Sequence, residues 1–94
     1  MPVRIVVSMQ PAPGKRDALI AAFAALCPNV QEEPGCQQYE VYQSLENPDR
    51  LVLLEKWETE EALAVHQGRM QERRDQGLDL DALRSGREVE RYTE

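Results

Sequence analysis

The side chains best suited to chemistry in this 94-residue chain are Trp57 and His66. His66 is the only histidine, and imidazole is the side chain whose unperturbed pKa lies near neutrality, so it can accept a proton from a hydroxyl group. The indole of Trp57 offers a broad apolar wall for a planar molecule and one N–H donor. Two structural alternatives stay open: Trp57 can fill the core, and His66 can be a hydrogen-bonded structural residue.

Helical spacing places two apolar side chains beside His66. Leu63 precedes it by three residues and Met70 follows it by four, so all three share one helix face. A cavity that contains the imidazole would therefore be bordered by these two apolar groups.

Further candidates lie on the predicted strands. Tyr39 and Tyr42 point to opposite faces of one strand, so at most one of them can line a given cavity. Glu55 shares a strand face with Trp57, and it is either a buried carboxylate or a salt-bridge partner in a dimer.

The elements that position these groups follow from hydrophobic periodicity and turn residues. Thr59 is expected to cap the second helix, and Pro28 is expected to kink or interrupt the first. We predict a strand, a helix, two strands, a helix and a final strand, at about 3–9, 15–26, 36–44, 50–58, 60–75 and 86–92. The βαββαβ order is the ferredoxin-like α+β plan, a four-stranded antiparallel sheet with two helices on one face.

The predicted sheet carries apolar side chains on both faces, although two helices can cover only one. In the third strand, Leu51 and Leu53 point one way, whereas Val52 and Leu54 point the other. Strands that are apolar on both sides are normally covered on both sides. We therefore expect a homodimer in which two sheets face each other, since two-fold homo-oligomers are the commonest assemblies.

Composition argues against several classes of partner. The chain carries 17 acidic and 11 basic residues, a net charge of −6, which disfavours nucleic acid. Basic residues 69, 73 and 74 alternate with acidic ones and are expected to form a solvated helix face. No signal peptide is visible and no segment approaches the roughly 20 apolar residues that span a bilayer, so we expect no membrane partner and a cytoplasmic location.

The two cysteines are too few for a disulfide framework. Cys27 and Cys36 have no second cysteine pair or histidine cluster near them in the sequence. Free thiols and the absence of a bound metal are the expectation.

Two longer motifs link these residues to a known family. The first is EPGCQQYE at positions 33–40, where the second strand begins. The second is EKWETEEALAVH at positions 55–66, which passes from the third strand into the second helix. Both resemble the antibiotic biosynthesis monooxygenase family, in its small quinol-monooxygenase-like branch, and the similarity extends over nearly the whole chain.

The resemblance implies a single domain over residues 1–94 that pairs into a dimeric α/β-barrel. It also implies oxygenation of a small aromatic or quinol-type substrate without flavin, haem or metal, so no cofactor is expected. In such chemistry the substrate anion itself reduces O₂, and the protein supplies a dry pocket, a base and charge stabilisation. Catalytic roles then fall to His66 and Trp57, and substrate contacts fall to Tyr39, Leu53, Leu63 and Met70.

The chain also departs from the family pattern. Leu53 and Leu63 stand where some quinone-forming members carry an amide and a tyrosine, and neither leucine can form a hydrogen bond. The first strand lacks the asparagine of haem-degrading relatives, which argues against haem degradation. The alternatives are a non-catalytic barrel that binds a hydrophobic small molecule or acts in a stress response, and an isomerase on the same fold.

Overall fold

The computed structural model describes residues 1–93, which form four β-strands and two α-helices. In chain order these are β1 (Val3–Pro11), α1 (Arg16–Gln31), β2 (Cys36–Gln43), β3 (Leu51–Trp57), α2 (Glu60–Asp75), a 3₁₀ turn (Asp81–Leu83) and β4 (Arg84–Thr93). The predicted βαββαβ order is confirmed. Neither helix in this part of the chain is long and apolar enough to cross a membrane.

The strands form one antiparallel sheet in the order β2-β3-β1-β4. The interior strands β1 and β3 pair along their whole length, from Val3 opposite Trp57 to Met9 opposite Leu51. Strand β4, which is rich in charged residues, lies at one edge. With both helices packed on one face, this is the ferredoxin-like α+β fold.

The core lies between the sheet and the helices. In β1 and β3, buried residues alternate with partly exposed ones, so one face of each strand is covered. An apolar stripe of α1 supplies the other side of the core through Leu19, Phe23, Leu26 and Val30. Burial of such side chains provides the main favourable term in folding.

The two helices follow different sequence signals. The hydroxyl oxygen of Thr59 accepts the Ala62 N–H at 3.1 Å, so the predicted cap of α2 is confirmed. Pro28 lies inside α1, which continues to Gln31, so of the two expected effects, a kink or an interruption, the interruption is wrong. Leu26 and Val30 are buried on either side of Pro28, and their packing outweighs the loss of one helical hydrogen bond.

Gly35 joins the loop after α1 to the start of α2. Its φ of 81° is a left-handed conformation that side chains disfavour, and an added Cβ would lie 2.5 Å from the Cβ of Ala62. The Gly35 carbonyl also accepts the Glu58 N–H at 2.8 Å. This close approach fixes where residues 33–36 meet α2.

We predict that Gly35→Ala destabilises the fold more than Gly14→Ala does. Gly14 has a similar φ of 74° but nothing within 4 Å of an added Cβ, so it reports the backbone strain alone. That strain costs about 1–3 kcal/mol, and Gly35→Ala adds the clash with Ala62. Urea unfolding of both variants measures the difference, and equal losses of unfolding free energy would contradict the close approach.

Candidate active site

A cavity of about 320 Å³ lies between the helices and the covered face of the sheet. His66 lines it, together with the four side chains predicted to contact substrate, Tyr39, Leu53, Leu63 and Met70. The structure therefore places these five residues around one space. Their contact with a substrate stays a prediction.

The imidazole of His66 packs between two aromatic rings. It stacks on the indole of Trp57, with ring centroids 4.4 Å apart and planes inclined by 28°. Tyr39 meets it edge-on, with centroids 5.5 Å apart. His66 is only 5% exposed, because α2 presses it against the sheet where β2 and β3 carry these rings.

Trp57 lies behind the imidazole, away from the cavity surface. It is completely buried, and among the described residues those that line the cavity do not include it. The indole of Trp57 is therefore not the cavity wall expected for a planar substrate; the rings that line the cavity are those of Phe23, Tyr39 and His66. Tyr39, and not the half-exposed Tyr42, is the tyrosine of β2 that faces the cavity.

One nitrogen of His66 is hydrogen-bonded to Glu33, which forms an ion pair with Arg73. Its Nδ1 lies 3.0 Å from Oε1 of Glu33, and Oε2 of Glu33 accepts from Nη1 of Arg73 at 2.8 Å. A carboxylate paired with arginine can only accept hydrogen bonds, so we assign the imidazole proton to Nδ1. The other nitrogen, Nε2, then carries the lone pair.

That second nitrogen faces another buried carboxylate. Nε2 lies 3.8 Å from Oε1 of Glu55, too far for a direct hydrogen bond. The same carboxylate oxygen accepts the indole N–H of Trp57 at 3.0 Å. Burial raises the pKa of Glu55, the Trp57 hydrogen bond opposes that rise, and the charge of Glu33 adds to it. Glu55 is thus a buried carboxylate within the subunit, one of the two alternatives left open.

Burial also sets the protonation state of the imidazole. It lowers the pKa of His66, whereas the hydrogen bond and the charge of Glu33 raise it in part. The imidazole is therefore neutral at neutral pH, with one N–H and one basic lone pair. Burial raises the pKa of Tyr39 well above its usual value, so its hydroxyl keeps its proton. These protonation states suit a proton acceptor, His66, beside a hydrogen-bond donor, Tyr39.

Sequence reasoning missed Glu33 and Arg73. Arg73 was expected on a solvated helix face, but its side chain is only 25% exposed and binds Glu33. It stands seven residues after His66, which is about two helical turns, so its position on the His66 face was readable. Glu33 belongs to the EPGC motif, in the loop whose Gly35 packs against Ala62 of α2, and sequence alone presents that glycine as a turn signal.

The described residues provide neither a metal site nor a thiol with a lowered pKa. Within residues 1–93, no group of three or more His, Cys, Asp or Glu side chains is placed to hold a metal ion. Cys27 and Cys36 are free thiols, and burial raises the pKa of both.

The cavity opens at the far end of α2. There its lining consists of exposed side chains and the partly buried Arg84, a set that we call the mouth: Arg74, Asp79, Asp81, Arg84, Arg87 and Val89. These residues come from α2, the 3₁₀ turn with its preceding loop, and β4. The closed end is formed by buried residues, so the cavity runs from a charged mouth to the imidazole.

Comparisons with known proteins find relatives of this chain in sequence and in fold. The chain is 34% identical over 67 residues to Rv0793 of Mycobacterium tuberculosis, a candidate monooxygenase; the match covers 71% of this chain and 65% of that protein. The crystal structure of SO0527 from Shewanella oneidensis has a TM-score of 0.84 and 31% identity, covering 97% of this chain and 88% of its own. PA3566 from Pseudomonas aeruginosa also has a TM-score of 0.84, with 26% identity and coverages of 99% and 93%.

The family itself is shown by the sequence match. The model of the antibiotic biosynthesis monooxygenase family matches residues 2–74, which run from β1 to the last turn of α2 and include both quoted motifs. The resemblance drawn from those motifs is confirmed, and the chain belongs to the antibiotic biosynthesis monooxygenase family.

Proposed function

We propose that this protein is a monooxygenase that oxidises a small aromatic or quinol-type substrate with O₂ and needs no cofactor. The observation that carries the proposal is the buried, neutral imidazole of His66 at the closed end of the cavity, beside the apolar side chains of Leu53 and Leu63. Membership of the monooxygenase family supports the reaction class. The size of the cavity, about 320 Å³, suits a substrate of one or two rings.

In the proposed reaction, Nε2 of His66 accepts a proton from an acidic hydroxyl or an activated CH₂ group of the substrate. The substrate anion then donates electrons to O₂; one oxygen atom enters the substrate, as when a CH₂ group becomes C=O, and the other leaves as water. The imidazolium formed in the first step lies between the carboxylates of Glu33 and Glu55, which stabilise its charge. Trp57 and Tyr39 keep the ring in position on either side.

The apolar lining supports a second candidate function. Leu53 and Leu63 present no hydrogen-bonding group to the cavity, and a site of this kind can hold a hydrophobic small molecule without changing it. A binding protein would show a raised melting temperature with such ligands and no oxygen consumption. Oxygen uptake therefore separates the two functions.

We predict that His66→Gln lowers the rate of oxygen uptake about 100-fold or more, because general bases contribute about 10²–10⁴-fold. Glutamine keeps an N–H for Glu33 but has no basic nitrogen. The assay uses chelator-treated protein with a panel of hydroquinones and anthrones in an oxygen electrode.

Val65→Ala, at an exposed position next to His66 on α2, serves as the control and should retain the wild-type rate. Thermal melting of each variant shows whether it is folded. Wild-type protein that never exceeds the buffer rate, or a folded His66→Gln variant that matches wild type, would contradict the assignment.

The pH dependence of kcat/KM should follow the imidazole. Since the base must be unprotonated and the pKa of His66 is lowered from 6.5, activity should be at its plateau at pH 7 and fall only at a pH below 6.5. Glu33 raises this pKa, so Glu33→Gln should move the acidic limb to still lower pH. Rates measured between about pH 4 and pH 8 test both statements. A limb centred above 6.5, or an upward shift in Glu33→Gln, would contradict the proposed base.

We also propose that the working form is a homodimer joined through the outer face of the sheet. Val6, Val52 and Leu54 lie on that face and are only partly covered within the subunit, while Tyr42 and Tyr92 beside them are about half exposed. A second copy of the sheet would cover these groups.

Sedimentation at micromolar concentration should give the mass of a dimer, and Leu54→Glu should give a monomer, because it buries charge at the proposed interface. The matched control is Leu45→Glu, which places the same change at a fully exposed loop residue and should leave the dimer intact. A monomeric wild-type protein would contradict the proposal.

A further inference from the structure

The mouth of the cavity is the one part of the described structure where three arginines converge on a pocket. Arg74 comes from the last turn of α2, and Arg84 and Arg87 come from β4. All three lower the pKa of the same acidic side chain, Asp81. The hydrogen bond from Arg84 has the largest effect, and the charges of Arg84, Arg87 and Arg74 add to it. In a chain with a net charge of −6, this is a local excess of positive charge.

The acidic groups of the mouth are already engaged within the protein. Asp81 accepts from both Nε and Nη2 of Arg84, at 3.1 and 2.9 Å. Asp79 accepts the backbone N–H of Ala82 and closes the turn there. The charge of Arg84 is thus neutralised by the carboxylate of Asp81.

Two guanidinium groups keep most of their donors for a ligand. Arg74 gives one hydrogen bond, to the side chain of Gln71, and has five N–H donors in all. For Arg87, no side chain within residues 1–93 is a hydrogen-bond or ion-pair partner. Arginine donors in this planar arrangement match the two oxygens of a carboxylate.

The inner end of the cavity, unlike the mouth, disfavours a negatively charged group. Glu55 lines it as a buried carboxylate, and a second negative charge beside it would be repelled. His66 and Arg74 are eight residues apart on α2, roughly 12 Å along the helix axis, and the Arg74 side chain leans back towards the N-terminus. An aromatic ring can therefore lie between them with its uncharged hydroxyl inward and an anionic group outward.

We propose that the cavity selects hydroxylated aromatic acids, whose carboxylate binds Arg74 and Arg87 at the mouth while the hydroxyl lies at His66. The placement of the hydroxyl rests on the proposed function, whereas the placement of the carboxylate stands on the arginines alone. Arg74 and Arg87 are specificity-determining residues in this assignment.

The test compares two ligands of the same shape and different charge, 4-hydroxybenzoate and 4-hydroxybenzamide, by isothermal titration calorimetry of the full chain at low salt. The acid should bind about fivefold more tightly, as expected for an ion pair at a partly exposed site. The preference should disappear in the Arg74→Gln/Arg87→Gln double variant and weaken at high salt. The Lys15→Gln/Arg50→Gln double variant removes the same two positive charges at exposed positions outside the cavity lining and should keep the preference.

An acid that binds no more tightly than the amide, or a preference that survives in the double variant, would overturn the proposal. Both ligands are scored by binding and not by turnover, so this result is independent of oxygen uptake. A protein that prefers the acid but consumes no oxygen would refute the proposed monooxygenase and leave the arginine assignment standing.

Discussion

The carboxylate of Glu33 is buried where α1 has ended and β2 has not yet begun, and much of the site depends on how its charge is compensated. A buried charge is tolerated only when it is paired and hydrogen-bonded. Both of its oxygens have partners, His66 and Arg73, at 3.0 and 2.8 Å. The interaction joins the loop after α1 to two positions of α2 that are about two helical turns apart, and it fixes both the position and the tautomer of the imidazole.

The sheet forms the cavity wall opposite α2, because alternate side chains of its strands point towards the helices. Successive side chains of β3 point to opposite faces, so Leu53, Glu55 and Trp57 all reach the covered side. A carboxylate between two apolar residues would be costly there without a donor, and the indole N–H of Trp57 provides one at 3.0 Å. Trp57 thus contributes to the site without lining the cavity: its ring stacks on His66, and its N–H donates to Glu55.

How far the sequence predicts this structure depends on the range of the interactions involved. Strand alternation and the Thr59 cap are local patterns, and each was readable. The continuation of α1 past Pro28 was not, because it depends on packing against the sheet, which local propensity does not contain. The pairing of Glu33 with Arg73 joins residues 40 positions apart, and its geometry exists only once the Gly35 loop meets α2. The same reason explains why Tyr39 and Tyr42 could be placed on opposite faces but not assigned to inside and outside.

The two ends of the cavity are made from parts of the fold that differ in how much they stabilise it. Leu53, Leu63 and His66 belong to the packed interior, where a change in volume or polarity is costly. The edge strand β4 is exposed along nearly its whole length, and surface substitutions of that kind usually change stability by less than about 0.5 kcal/mol. Relatives with this fold can therefore diverge at the opening of the pocket while the interior is preserved. Evolution can change what enters the pocket almost independently of what keeps the protein folded.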